Sequence, residues 1–351
     1  PARAVDLWRE VAGMPGGEAE ALGHLEVLLR GLGRSAELEE VLARQAEIAV
    51  HPPTQADRWA ALGELRLHDL SDPDGAIDAF RAALERVPTQ GAALSALRAM
   101  AATVEPSLAV LDILEPLAEA RGDFVELAAL AEARLLRTED SVERAGLWRR
   151  IADLAATRLD DLPRALDALG HALREEPQAL DTADQIERVA ERAGTPVEAA
   201  RRLEAVLDAL DGSALAQMGM RAARQYLRAG GVEREDAAER IYGRVVEIEP
   251  ENAAALEAME ALYRRRGDGQ RVAAMLERRG ALELDPILRL ALFAEAARLH
   301  EERGDLAMAI AAWQSGREGD ESSLQALDEL ARLYEKAGNL DGLVEALPDK
   351  S

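Results

Sequence analysis

Six glycines, Gly33, Gly122, Gly194, Gly267, Gly304 and Gly338, close the same pattern: apolar residues lie five, eight and eleven positions before each of them. These are Leu28, Leu25 and Leu22; Leu117, Leu114 and Leu111; Val189, Ile186 and Ala183; Leu262, Met259 and Leu256; Leu299, Ala296 and Phe293; and Leu333, Leu330 and Leu327. Apolar side chains at this spacing form one stripe along a helix. A glycine just past the last turn takes the left-handed conformation that ends it. Asp123, Asp268, Asp305 and Asn339 follow four of these glycines, and their short polar side chains suit the cap of the next helix. Each glycine therefore marks a tight turn between two helices. The second helix repeats too, with Leu38, Leu127, Ala199, Val272, Ala309 and Leu343 five residues on. Leu42, Ala131, Leu203, Leu276, Trp313 and Leu347 follow nine residues on.

A longer variant alternates with this unit. Trp59 and Trp148, Ala76 and Ala165, Phe80 and Leu169, Ala83 and Ala172, and Pro88 and Pro177 all keep one spacing of 89 residues. Its turn carries an insertion, as in Leu70-Ser71-Asp72-Pro73-Asp74-Gly75. Proline at 73 and 163 suits the first turn of a helix. Pro88, Pro177 and Pro250 stop the helix before them, because proline lacks the amide hydrogen and clashes with the preceding turn.

These landmarks resemble the tetratricopeptide repeat family. Trp59, Leu62-Gly63, Ala76, Phe80, Ala83 and Pro88 match the family's consensus apart from one inserted residue. Phe293, Ala296, Ala297, Gly304, Asp305, Ala309 and Trp313 match without insertion, with Glu321 in place of the final proline. The resemblance covers nearly the whole chain, which also looks like a stretch of the large repeat arrays of high-GC bacteria. It implies an all-α fold, a right-handed α-α superhelical solenoid of helical hairpins, as a single array over residues 1–351 with about twenty helices. An irregularity is expected near residues 90–121, where one helix fits both as the second of one hairpin and the first of the next. The register of the helix around 213–229 is ambiguous. The resemblance further implies a concave surface lined by first helices. Its groove positions fall on Ala60, Glu64, Leu67 and His68, on Arg149, Asp153, Ala156 and Thr157, and on Ala294, Arg298, Glu301 and Glu302. Glu64, His68, Arg149, Asp153, Arg298 and Glu301 are the partner-contact candidates. Their mixed charge departs from the uniformly basic carboxylate clamp that some family members use.

Composition narrows function by exclusion. The alphabet is that of helix formers, with 48% hydrophobic but only 3% aromatic residues. A net charge of −24 repels phosphate backbones, so nucleic acid is not an expected partner. Arginine supplies all the basic residues except Lys336 and Lys350, which with the abundant alanine fits a bacterial, high-GC source. The absence of cysteine excludes disulfides and thiolate chemistry. Gly31-Leu32-Gly33-Arg34-Ser35-Ala36 spells a dinucleotide fingerprint, but a helix and not a strand precedes it. His24, His51, His68, His171 and His300 have no metal-ligand spacing and read as solvated or helix-end residues. No catalytic, cofactor or metal site is expected.

The expectation is a non-catalytic scaffold or adaptor that binds a protein or peptide on its concave surface. The alternative is a structural segment that self-associates or spans a larger assembly. No apolar run is long enough to insert in a membrane. No secretory signal is visible, which favours the cytoplasm; the periplasm stays open if a signal or anchor was removed.

Overall fold

The computed structural model describes residues 2–14, 16–318 and 323–346. Twenty α-helices and one short 3-10 helix make up the regular structure among them, without a strand. The chain divides into two compact units, Pro1–Ala168 and Leu169–Ser351. The first holds α1 (Ala2–Ala12), α2 (Glu18–Leu32), α3 (Ser35–Ile48), α4 (Pro52–His68), α5 (Pro73–Arg86), α6 (Gly91–Ala101), α7 (Leu108–Arg121), α8 (Phe124–Leu135) and α9 (Ser141–Thr157). Helix α10 (Leu162–Glu175) runs across the boundary. The second unit continues with α11 (Leu180–Ala193), α12 (Pro196–Glu204), the 3-10 helix Leu207–Ala209, α13 (Gly212–Ala229), α14 (Val232–Ile248) and α15 (Ala253–Arg266). It ends with α16 (Gly269–Leu282), α17 (Pro286–Glu302), α18 (Leu306–Arg317), α19 (Leu324–Ala337) and α20 (Leu340–Ala346). Within each unit, the helices in substantial contact are neighbours or next neighbours in the chain, which is the packing of an α-α solenoid.

The turn chemistry works as the spacing predicts. All six anchor glycines have positive φ, between 66° and 81°. Asp123, Asp268, Asp305 and Asn339 accept the capping hydrogen bonds of the next helix from the amides of Glu126, Arg271, Met308 and Gly342 at 3.0–3.2 Å. The stripe before each glycine points inward: fourteen of its eighteen members are buried, and Leu28, Leu117, Leu299 and Leu327 are half-buried. In the second helices Leu343 is half-buried and the other described members are buried, while Leu347, like Glu321, lies outside the described residues. In the longer variant, the inserted Ser71 and its counterpart Asp160 take the left-handed conformation instead of glycine, with φ of 54° and 51°.

Helices α6 and α7 form the irregular stretch. α7 packs on α5 and α6 as a second helix would. It also ends in the left-handed Gly122 and turns into α8 through the Asp123 cap, as first helices do elsewhere. The register of α13 was hidden for a related reason. It ends in two successive positive-φ glycines, Gly230 and Gly231, so no single cap fixes its phase.

Close approach of helices depends on missing side chains. A Cβ at Gly63 would lie 2.5 Å from the ring of Phe80, which is fully buried in the core of the first unit. Trp59 is wedged between that core and the one formed by α1–α4. In the second unit Phe293 is gripped from two sides, by Gly280 of α16 and Gly316 of α18, at 2.7 and 2.9 Å from the Cβ each lacks.

Single substitutions at three glycines test this account. Gly122→Ala should lose about 1–2 kcal/mol in urea unfolding, the cost of a side chain in the left-handed region. Gly31→Ala, whose Cβ would meet open space inside α2, should gain roughly 0.5–1 kcal/mol. Gly63→Ala should cost about 1–3 kcal/mol through overpacking, and Phe80→Leu in that background should recover part of the loss.

Candidate functional site

Successive first helices are tied by arginine–carboxylate pairs whose partners lie about one repeat apart. In the first unit Arg58 of α4 reaches Glu26 of α2 at 2.8 Å and Arg150 of α9 meets Glu115 of α7 at 3.2 Å; Arg98 of α6 holds Glu126 of the second helix α8 at 2.7 Å. In the second unit Arg221 of α13 binds Asp184 of α11 at 2.6 Å, Arg264 of α15 binds Glu295 of α17 at 2.7 Å, and Arg332 of α19 binds Glu301 of α17 at 2.7 Å. The fork of each guanidinium suits a carboxylate on the neighbouring helix. Such partly exposed pairs each contribute up to about 1 kcal/mol, so they fix register more than they hold the fold.

Among the described residues the α4–α6 interval shows no such tie. The Gln90 side chain at the start of α6 crosses it, donating to Asp57 at 3.2 Å. A groove of about 590 Å³ opens there. Glu64, Leu67 and His68 form its α4 wall, and Ala92, Ser95, Ala96, Ala99 and Met100 of α6, with Thr103 just past its end, form the other. The three α4 residues lie one turn apart on one face, as the repeat register implied. Glu64 and His68 are exposed. Neither makes an ion pair or a side-chain hydrogen bond among the described residues. On the other flank of α6 a second groove, about 540 Å³, is floored by Leu114 and walled by Ala101, Val125, Ala129 and Ala133. Arg98 and Arg121 both hold Glu126 at its rim, and the Arg98 hydrogen bond depresses the Glu126 pKa.

Other implied groove positions are placed differently. Ala60 and Ala156 are not groove residues: they are 2% and 8% exposed, because one face of these 17-residue helices turns into the core. Asp153 is exposed on α9, and Arg149 is half-buried beside it. Arg298 is exposed on α17, 3.9 Å from Glu295. Glu301 is engaged within the chain, accepting from Arg332 and from Lys336 at 2.7–2.8 Å. His300 ends a helix as expected but is buried, with Nε2 3.0 Å from Glu277 of α16.

The second unit holds a polar groove that the repeat pattern did not reveal, because it centres on α13. Asp184, Glu187, Gln217, Arg221, Arg224, Glu249 and Asn252 line this space of about 430 Å³. Arg221 is committed to Asp184 and Glu187, whereas Arg224 is exposed and makes no ion pair among the described residues. Among the described residues no cluster of three or more His, Asp or Glu is placed to hold a metal, and no helix is long and apolar enough to cross a membrane.

Taken together, the capped hairpins, their glycine contacts and the grooves between first helices define an all-α protein built of consecutively packed helical hairpins. No family model matches the sequence, and no curated protein matches it. Solved structures of similar fold include the MamA protein, 17% identical over 52% of this chain and 95% of that one, with a TM-score of 0.32. A tetratricopeptide repeat protein from Parabacteroides merdae is 14% identical over 80% of this chain and 98% of that one, with a TM-score of 0.25. The TPR2AB domain of yeast Sti1, solved as a complex with pHSP90, is 16% identical over 81% of this chain and 99% of that one, with a TM-score of 0.26. At this similarity the likeness carries no functional argument, and the fold assignment stands on the chain's own hairpins.

The Glu301 cluster gives a pH prediction. Hydrogen bonds from Arg332 and then Lys336 hold its carboxyl at about 2, below the ordinary 4.5. The stabilisation is therefore complete above pH 4.5 and is lost as the pH falls through about 2. Urea unfolding should show Glu301→Gln less stable than wild type at pH 7, with the difference shrinking as the pH is lowered through this window.

Proposed function

We propose that the chain is a non-catalytic scaffold that binds a protein or peptide partner in the grooves between its first helices. The observation that carries this reading is the α4–α6 groove. It is the interval of the first unit where the ionic tie is missing, and a carboxylate and an imidazole stand unused beside a lining of small side chains. Grooves between helices are a common seat for peptides and partner helices. The mixed charge at Glu64, His68, Arg149, Asp153 and Arg298 favours a partner read by shape and a few polar contacts. Glu301, already neutralised by two cations, is assigned a structural part.

Ala99→Trp fills the groove from an exposed position on α6. Affinity purification from the native host should lose specific partners with this variant while its helical circular dichroism is unchanged. Arg149→Glu and Arg298→Glu test the remaining positions in the same way. Full recovery of every partner by Ala99→Trp would remove the α4–α6 groove from the binding surface.

A further inference from the structure

We propose that the α4–α6 groove selects an amphipathic α-helix carrying a Lys or Arg beside its apolar stripe, rather than an extended or acidic peptide. This rests on the groove reading above and specifies its occupant.

Three observations lead there. The first is backbone chemistry. An extended segment brings one donor and one acceptor per residue, and each needs a partner when water is displaced. The groove offers few: the Glu64 carboxylate, the His68 imidazole and the Ser95 hydroxyl. Thr103 already donates its hydroxyl to the Met100 carbonyl, and the backbones of both walls are largely committed within their helices. A helix arrives with its own hydrogen bonds made.

The second is shape. Along α6 the lining residues Ala92, Ala96, Ala99 and Met100 share one face. They trace a straight wall about 12 Å long, or just over two helical turns. Side chains no larger than a methyl over most of that wall let a second helix approach closely, with its larger apolar residues seated between α6 and Leu67.

The third is charge. Glu64 is the sole acid of the lining and has no cationic partner, and no Lys or Arg lines the groove. In five other intervals a carboxylate on one first helix is met by an arginine from a neighbouring first helix. The complementary cation at Glu64 is absent from the described residues of the chain, whose net charge of −24 also draws a basic partner.

The test is an unbiased selection. Random 16-residue peptides are displayed and selected on the full chain, with counter-selection on Ala99→Trp and, as a second exposed-site variant, Ser95→Trp; both are checked for folding by circular dichroism. Enriched peptides should show apolar residues at i, i+3 or i+4, and i+7, with Lys or Arg on the flank. A labelled peptide should bind with increased helicity and lose binding when proline replaces its central residue. Glu64→Lys should weaken it about fivefold or more by fluorescence anisotropy, the factor equivalent to one exposed ion pair. Arg278→Glu, at an exposed position of α16 in the other unit, should leave it unchanged. No enrichment, or enriched peptides that tolerate the central proline, carry acids in place of bases or bind Ala99→Trp equally well, would overturn the proposal. If native partners are nonetheless lost from Ala99→Trp, the groove reading stands and only the helical, basic occupant falls. If native partners are retained, both fall.

Discussion

A short amphipathic hairpin has one apolar face and nothing of its own to cover it, and that constraint governs the rest of the structure. The stripes before Gly33, Gly122, Gly267 and Gly338 are covered by the helices adjacent in sequence, so burial is local and the fold grows along the chain. Aromatic residues are scarce, and aliphatic packing takes their place. Fully buried Phe80 and Tyr242 are exceptions set among alanine, leucine and valine. Where a large ring does enter, a glycine on the facing helix makes room, at Gly63 for Phe80 and at Gly280 and Gly316 for Phe293. Such sites are sensitive to a single methyl group, because interiors are close-packed and leave no slack.

Polar groups add a second layer of order. Arginine–carboxylate pairs tie neighbouring first helices to one another. They also determine which surface is left for a partner. Where a tie is made, as at Glu301 with Arg332 and Lys336, the charges are consumed. Where it is missing, at α4–α6, a groove and two unused polar side chains remain. The site is defined as much by an absent contact as by the residues that line it.

Much of the fold could be read from the sequence because its signals are local. A glycine cap, an Asp or Asn after it and a three-residue apolar step all act within one or two turns, and the structure bears them out. The site was legible in part. Glu64, Leu67 and His68 share one groove wall as the repeat register implied. Ala60 went to the core, since a 17-residue helix presents more than one face to its neighbours. The commitments of Glu301 and His300 depend on residues 23–35 positions away, which no periodicity reports. The polar groove around Arg224 was missed because α13 closes on two glycines and falls out of phase.

The spacing of 89 residues reaches deeper than the side chains that first disclosed it. At Ser71 and Asp160 the backbone takes the same rare conformation. The flanking amides make the same pair of bonds, Leu70 to Leu65 and Asp72 to Arg66 in one turn, Leu159 to Leu154 and Asp161 to Ala155 in the other. Leu97 and Ile186, Val110 and Ala199, and Leu114 and Leu203 are buried in both places at that same offset. The stretch so matched runs from α4 through α8 and again from α9 through α13, five helices each time. A module of five cannot be copied into an alternating series without setting two helices of the same role side by side. An array lengthened in such steps carries one break in its alternation for every module added.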